Sequence, residues 1–400
     1  MDVDLDARQS IVDPSGYFGA RFDAGDVQWS EAHRAWVVLG HDALSEAFRD
    51  AETLSADRVS VLERVAADRP AEFRVVVELL SGWMIFRDPP VHTRLRVPVR
   101  SAFTTRRVND LRPLVDEIVA DAFDAMTRAA IDGAADLTTH VARPVPALVI
   151  GALLDVEPDD RPRLQRWSDD LAAIVFSLSP AATPPEGVVH AATAFREFFA
   201  PLVERAAGSD DGSLIGRIAA LGDTFDTTEL IGMCTMLLFA GHETTTSLIQ
   251  AIAATLLERP DLESRLRSDP TLVDTAVEEV MRVQGPARTM VRKSLVDHER
   301  AGATIGAGDR VMLAIAAANH DPRVFHRPEV LDLGRDPNPH LGFGWGLHHC
   351  LGAQLARVEA ASFLRQLLDR FDRLEPVGGI PPLDGAAMGF RRGQIRLRCR

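Results

Sequence analysis

The sequence predicts a mainly α protein with minor β-sheets. Apolar residues recur at helical spacing in five long segments, whereas strand-like runs are two and short. With 46% hydrophobic residues the chain has ample material for a large core. No repeat, low-complexity block or linker interrupts it, so one domain over residues 1–400 is expected, with 1–20 the place for any terminal mobility.

In order, Ala35-Trp36-Val37-Val38-Leu39 alternates weakly and reads as a first strand. Residues 109–128 place Leu111, Val115, Ile118, Val119 and Phe123 at helical spacing. The uniformly apolar stretch 137–155 reads as a buried helix interrupted by Pro144 and Pro146. Residues 178–190, with Pro180, Pro184, Pro185 and Gly187, form the clearest internal loop. A central helix over 226–258 is expected to start at a cap on Asp226 and stop before Pro260. A helix over 271–283 follows, then a strand at Arg310-Val311-Met312-Leu313-Ala314, then a last long helix from Cys350 to Phe371.

A net charge of −14 argues against wholesale binding to nucleic acid or anionic membrane. Cys234, Cys350 and Cys399 are an odd, widely spaced set without CxxC, so neither a zinc ribbon nor a disulfide framework is indicated, and a reducing cytosol fits. The acidic start Met1-Asp2-Val3-Asp4-Leu5-Asp6 lacks the basic-then-apolar order of a signal peptide. No apolar run reaches the roughly 20 residues of a membrane helix. A soluble, cytoplasmic monomer is expected.

Two stretches carry chemistry. In Phe343-Gly344-Trp345-Gly346-Leu347-His348-His349-Cys350-Leu351-Gly352 a lone cysteine lies between a glycine-rich turn and the last helix. A metal ligand must be a thiolate, and a helix start favours the anion through its free N–H groups and positive dipole end. Gly344 and Gly346 permit backbone angles and close approaches that a Cβ would block. The second stretch, Ala240-Gly241-His242-Glu243-Thr244-Thr245, lies mid-way along the central helix. Gly241 costs about 1 kcal/mol there relative to alanine, and Thr244, Thr245 and Thr246 are β-branched, so a local opening is expected. A zinc-protease reading of His242-Glu243 fails, because HExxH needs a histidine where Thr246 stands.

The cysteine stretch resembles the haem-ligand signature of the cytochromes P450, with Phe, Gly, Gly, His, Cys and Gly at the family's spacing, and the similarity runs over nearly the full chain. It implies a single-domain, mostly helical fold around haem b, with Cys350 as the iron ligand. Thiolate donation favours O–O cleavage in such haems. It also implies that Phe343 and Gly352 flank the macrocycle and that Ala240 and Gly241 face the iron. His92, Arg96, Arg292 and His348 are the implied propionate contacts, and Pro98 soon after Arg96 is expected to shorten or kink that helix. His349 falls at a variable position and reads as surface or packing. Glu243 and Thr244 match the acid–alcohol pair that delivers protons.

Glu279 and Arg282 form the family's ExxR pair, read as structural. Its usual third partner is an arginine where this chain has Val330, so another group must satisfy Glu279. Leu237, Leu238, Val291, Phe390 and Arg288, with the segments Met84 to Phe86 and Met388 to Phe390, are the implied substrate wall. Arg288 could instead be a second propionate contact or a channel-mouth charge. Arg100, Arg106, Arg107 and Arg357 could form a basic patch for an acidic electron donor. With no fused reductase, electrons are expected from a ferredoxin or flavodoxin and an NAD(P)H-dependent reductase. A monooxygenase acting on an apolar small molecule is the expected activity; a peroxide-driven oxygenase and a non-catalytic haem sensor are the alternatives.

Overall fold

The computed structural model describes residues 2–66, 72–175, 186–206, 214–220, 224–386 and 389–398. Helices dominate, with four small sheets among the described residues. The chain divides into two compact units. Met1–Leu54, Val108–Pro146 and Glu243–Arg400 form the first, Ser55–Arg107 and Ala147–His242 the second. Each gathers separated stretches, so no single cut in the chain isolates either.

In the first unit a sheet runs in the order Val27–Ser30, Ala35–Val38, Arg310–Leu313, Met290–Ser294, Leu54–Ser55. Both expected strands are in it. Trp36 pairs antiparallel with Trp29 and parallel with Val311, which pairs antiparallel with Arg292. The β-branched residues Val38 and Val311 give this sheet a packed face. On it lies the helix His41–Arg49, whose Ala43, Leu44, Ala47 and Phe48 form one buried stripe. Asp42 in its first turn and Arg49 in its last match the helix dipole. The helix Arg112–Arg128 buries Val115, Ile118, Val119 and Phe123 as the spacing predicts, while Leu111 precedes it as the cap. Phe123 stacks on Phe363 of the last helix, Ala353–Arg370, with ring centroids 5.8 Å apart.

The N-terminal segment packs onto the first unit: Val3 and Leu5 are buried. Ser30 Oγ donates to the Val3 carbonyl at 2.6 Å, and the Leu5 N–H donates to His33 Nε2 at 2.8 Å. Pro144 and Pro146 do not interrupt a helix but open one, Pro144–Leu153, after a wide turn at Thr138–Ala142. Proline suits a first turn, where its missing N–H would have no partner anyway. Of the expected loop 178–190, residues 186–190 begin the helix Glu186–Ala206, and 178–185 lie outside the described residues.

In the second unit Trp167 of the helix Arg161–Val175 meets Phe195 of Glu186–Ala206 edge-on at 5.4 Å. The central helix is Thr227–Glu258. Asp226 caps it reciprocally: the Glu229 N–H donates to Asp226 Oδ1 at 2.8 Å and the Asp226 N–H to Glu229 Oε2 at 3.3 Å. Glu229 also takes both terminal nitrogens of Arg94, tying the helix Val91–Arg100 to this helix start. Pro98 does not end that helix, which continues to Arg100 before a short 3₁₀ turn, Ser101–Phe103.

The last helix carries an unusual buried group. Glu359 is 2% exposed, and its Oε2 has no hydrogen-bond partner among the described residues. Burial pushes its carboxyl up to about 8. The folded protein therefore keeps a proton that the unfolded chain releases above its ordinary 4.5. Stability must fall as pH rises from about 4.5 to about 8 and level off above. Glu359→Gln removes this dependence: its melting temperature should match the wild type near pH 4.5. At pH 8 its melting temperature should be the higher, by the equivalent of a stability margin on the order of a few kcal/mol. Parallel melting curves at both pH values would refute a buried neutral carboxyl.

Candidate active site

The cysteine loop is a hairpin built on glycine. The Gly344 N–H donates to the Leu341 carbonyl at 2.8 Å, and the Cys350 N–H returns to the Phe343 carbonyl at 2.8 Å. Gly344 and Gly346 have φ of +67° and +66°, the left-handed region. A Cβ on Gly346 would stand 2.7 Å from the Phe48 carbonyl oxygen. The stripe of the His41–Arg49 helix thus fixes the floor under this turn. The last helix begins at Ala353, not at Cys350: Gly352 takes the cap, and the Cys350 N–H is bonded within the hairpin. The cysteine therefore precedes the helix by three residues.

Cys350 is exposed, and nothing lies within 4 Å of where a Cβ on Gly352 would be. Cys234 is fully buried, and burial pushes its thiol up to about 12, so it stays protonated. Cys399 lies outside the described residues. Among the described residues Cys350 is the cysteine presented as a ligand. His348 and His349 are half-buried, and the His349 ring packs edge-on to Trp345 at 6.4 Å. Phe343 is buried beneath Arg357, whose guanidinium lies 4.3 Å from the ring centroid. Arg357 also forks onto Glu278, at 2.7 and 2.8 Å. Its charge is compensated, which removes it from the expected basic patch. Arg100 and Arg106 are exposed, and Arg107 is half-buried.

The central helix has an accessible window. Residues 230–239, including Leu237 and Leu238, are buried, and so are 247–257. Between them Ala240 is exposed, and Gly241, Glu243, Thr244 and Thr246 are half-exposed, while His242 and Thr245 stay buried. The helix runs unbroken through the window, so the expected opening is absent. Gly241 has another reason to be glycine: a Cβ there would meet Ile150 Cγ1 at 2.9 Å.

His92 is fully buried and Arg96 half-buried, one turn apart on Val91–Arg100. Arg292 is buried on its strand, where Nη1 donates to the Val291 carbonyl at 3.0 Å, and Val291 pairs with Met312. Met84 and Phe86 are buried and Ile85 exposed. Met388 and the Phe390 side chain lie outside the described residues, although the strand Gly389–Arg392 is placed. Arg288, expected in the substrate wall, is instead buried, and its guanidinium donates to the Leu5 carbonyl at 3.2 Å and to the carbonyl and hydroxyl of Ser10 at 2.8 and 2.9 Å. A fork closed on the N-terminal segment is not held out toward a substrate anion.

The ExxR pair is complete after all. Glu279 and Arg282 are fully buried and joined at 2.7 and 2.9 Å. The third partner is Arg335, five residues past Val330, whose Nε sits 3.0 and 3.1 Å from the two Glu279 oxygens. Asn338 Nδ2 at 3.1 Å and the Asp332 N–H at 3.0 Å complete the shell. Arg282 also binds the carbonyls of Asn319, Pro328 and Val330. Sequence reasoning looked for one arginine at one register. The basic residue in Asp332-Leu333-Gly334-Arg335-Asp336 was the available signal.

A reachable thiol on a glycine hairpin, backed by a buried Glu–Arg scaffold, is the architecture of a haem-thiolate oxygenase. The chain belongs to the cytochrome P450 family, whose profile matches residues 213–395. It is 38% identical to the cytochrome P450 monooxygenase PikC of Streptomyces venezuelae, over 86% of this chain and 80% of that one. It is 37% identical to the vitamin D(3) 25-hydroxylase of Pseudonocardia autotrophica, over 90% and 87%. Among solved structures, P450BioI in complex with hexadec-9Z-enoic acid ligated acyl carrier protein superposes with a TM-score of 0.88 at 27% identity, covering 98% of this chain and all of that one. Myxobacterial CYP267B1 in complex with myristic acid gives 0.86 at 32%, covering 99% and 98%. The protein is a cytochrome P450 monooxygenase, an oxidoreductase. The haem iron that the family implies fits these residues: the exposed soft donor of Cys350 and the open space at Gly352 are what a flat metal macrocycle requires.

Removing Arg335 should leave the buried Glu279 carboxylate under-compensated. Arg335→Leu should cost about 3 kcal/mol, read as a lower denaturation midpoint with an unchanged slope. Arg335→Lys, which keeps charge but loses the fork, should fall between. A wild-type midpoint for Arg335→Leu would assign the stabilisation to Arg282 and Asn338 alone.

Proposed function

We propose that this protein is a haem b monooxygenase that inserts one atom of O2 into an apolar small molecule, the other leaving as water. The two electrons come from NAD(P)H through a separate reductase and a ferredoxin or flavodoxin. The observation that carries this reading is the window on the central helix: an acid and an alcohol, Glu243 and Thr244, both accessible where their neighbours are buried. A binding protein has no use for proton delivery, whereas oxygen cleavage consumes two protons.

When bound, the haem supplies dioxygen binding and reductive activation. Cys350 Sγ would hold the iron, and His92, Arg96, Arg292 and His348 would hold the propionates. The Thr244 hydroxyl would hold a proton at Oγ1 beside the reacting centre, and the Glu243 carboxylate would replenish it from solvent. Leu237, Leu238, Val291 and Phe390 would exclude bulk water and seat the substrate. Relatives and neighbours support an apolar substrate: one is named for vitamin D(3), and solved structures hold myristic acid or testosterone. No described helix is long and apolar enough to cross a membrane. A single catalytic domain acting as a cytoplasmic monomer completes the proposal.

The reduced protein with carbon monoxide should show the strongly red-shifted Soret band of a thiolate ligand, and Cys350→Ser should lose it while keeping the helical circular dichroism. Thr244→Ala should keep that band and continue to consume NAD(P)H, yet form at least about tenfold less product per cofactor oxidised. Product yield at the wild-type level would remove Thr244 from proton delivery.

A further inference from the structure

Beside the buried Glu279, its neighbour Glu278 organises a separate network on the cysteine loop. Arg357, in the first turns of the last helix, grips both Glu278 oxygens in a bidentate fork. His340 Nε2 lies 3.1 Å from Glu278 Oε2, and the Gly342 N–H donates to His340 Nδ1 at 3.1 Å. Because Nδ1 accepts, the ring proton sits on Nε2 and points at the carboxylate, so a neutral imidazole satisfies both bonds. The chain then reaches the ligand in two steps. Gly342 leads into Phe343, whose ring is covered by Arg357 and whose carbonyl accepts the Cys350 N–H at 2.8 Å.

Two features make this more than packing. Arg357 places a full positive charge on the face of the aromatic ring next to the cysteine hairpin, a cation–π contact sensitive to how that charge is balanced. Glu278 supplies the balance. Burial would push its carboxyl up, but the His340 and Arg357 hydrogen bonds and the Arg357 charge overcome this and hold it at about 2, so it stays ionised across the working range. The Arg357 and Glu278 side chains are 33% and 27% exposed, which leaves their field only partly screened.

We propose that Glu278, His340 and Arg357 are positioning residues that set the reduction potential of the cysteine-ligated iron, by holding Phe343 against the Cys350 N–H and by cancelling the Arg357 charge. The inference rests on Cys350 being the iron ligand. Reduction adds one negative charge to the site, so an uncompensated cation favours the reduced state and a removed cation disfavours it.

The test is spectroelectrochemical titration of the holoprotein. Glu278→Gln should make one-electron reduction about tenfold more favourable, a positive shift of about 59 mV. Arg357→Gln should shift the potential the opposite way, and the double variant should return toward the wild-type value because the pair is again neutral. Disrupted packing alone would make the double variant the most displaced. Singles that retain the red-shifted carbon monoxide band but have wild-type potentials, or that shift in the same direction, overturn the proposal. If Glu278→Gln does not fold, Arg357→Gln decides by itself: no negative shift overturns it. A wild-type protein without the red-shifted band would instead overturn thiolate ligation, a separate result.

Discussion

The first unit depends on one buried carboxylate. Glu279 is fully buried and meets two guanidinium groups, one side-chain amide and one backbone N–H. Burying a charge is expensive unless it is paired and hydrogen-bonded. Here the bonds do structural work beyond compensation, because Asp332, Arg335 and Asn338 all belong to an otherwise irregular stretch. Arg282 reaches the carbonyls of Asn319, Pro328 and Val330, and Arg335 reaches those of His326 and Val330. A segment with little secondary structure of its own is pinned from one helix. It ends at Leu341, whose N–H donates to Asn319 Oδ1 at 2.7 Å, and the cysteine hairpin starts there.

That dependence explains why the site was more legible than its support. The hairpin announced itself locally: Gly344 and Gly346 do what their sequence positions require, and the accessible cysteine is the expected one. Long helices were legible too, since Val115, Ile118, Val119 and Phe123 obey a period that needs no tertiary knowledge. Asp226 was readable as a cap because Glu229 stands three residues on. Arg335 was not, because nothing local marks which arginine will swing onto a carboxylate 56 positions earlier in the chain. Arg288 failed for the same reason in reverse. The resemblance placed it in the substrate wall, but the N-terminal segment, with Ser10 lying 278 residues before Arg288, closes over it.

Gly241 shows a subtler error. Low helix propensity suggested a break, but propensity is a weak prior that packing overrides. The helix is intact, and glycine is there because Ile150 Cγ1 occupies the space a Cβ would need. The lost propensity is a local cost, and the helix continues past the very residues that must be reachable. Accessibility at Ala240, Glu243 and Thr244 is therefore a property of what packs around the helix, not of its own distortion.

Three glutamates of this unit show how environment sets the role of one side chain. Glu279 is buried among cations and donors, and serves as an anchor. Glu359 is also buried but keeps an oxygen unpartnered among the described residues, and it relieves that burial by holding its proton up to about pH 8. Glu278 lies between these cases, half-exposed, ionised and clasped by His340 and Arg357. Glu278 and Glu279 are adjacent on one helix, so a rotation of about 100° separates an anchor of the scaffold from a counter-charge at the cysteine loop. The same turn of helix thereby fixes where the loop stands and what field it feels. Geometry and electrostatics at Cys350 are coupled through a single element, Val273–Gln284.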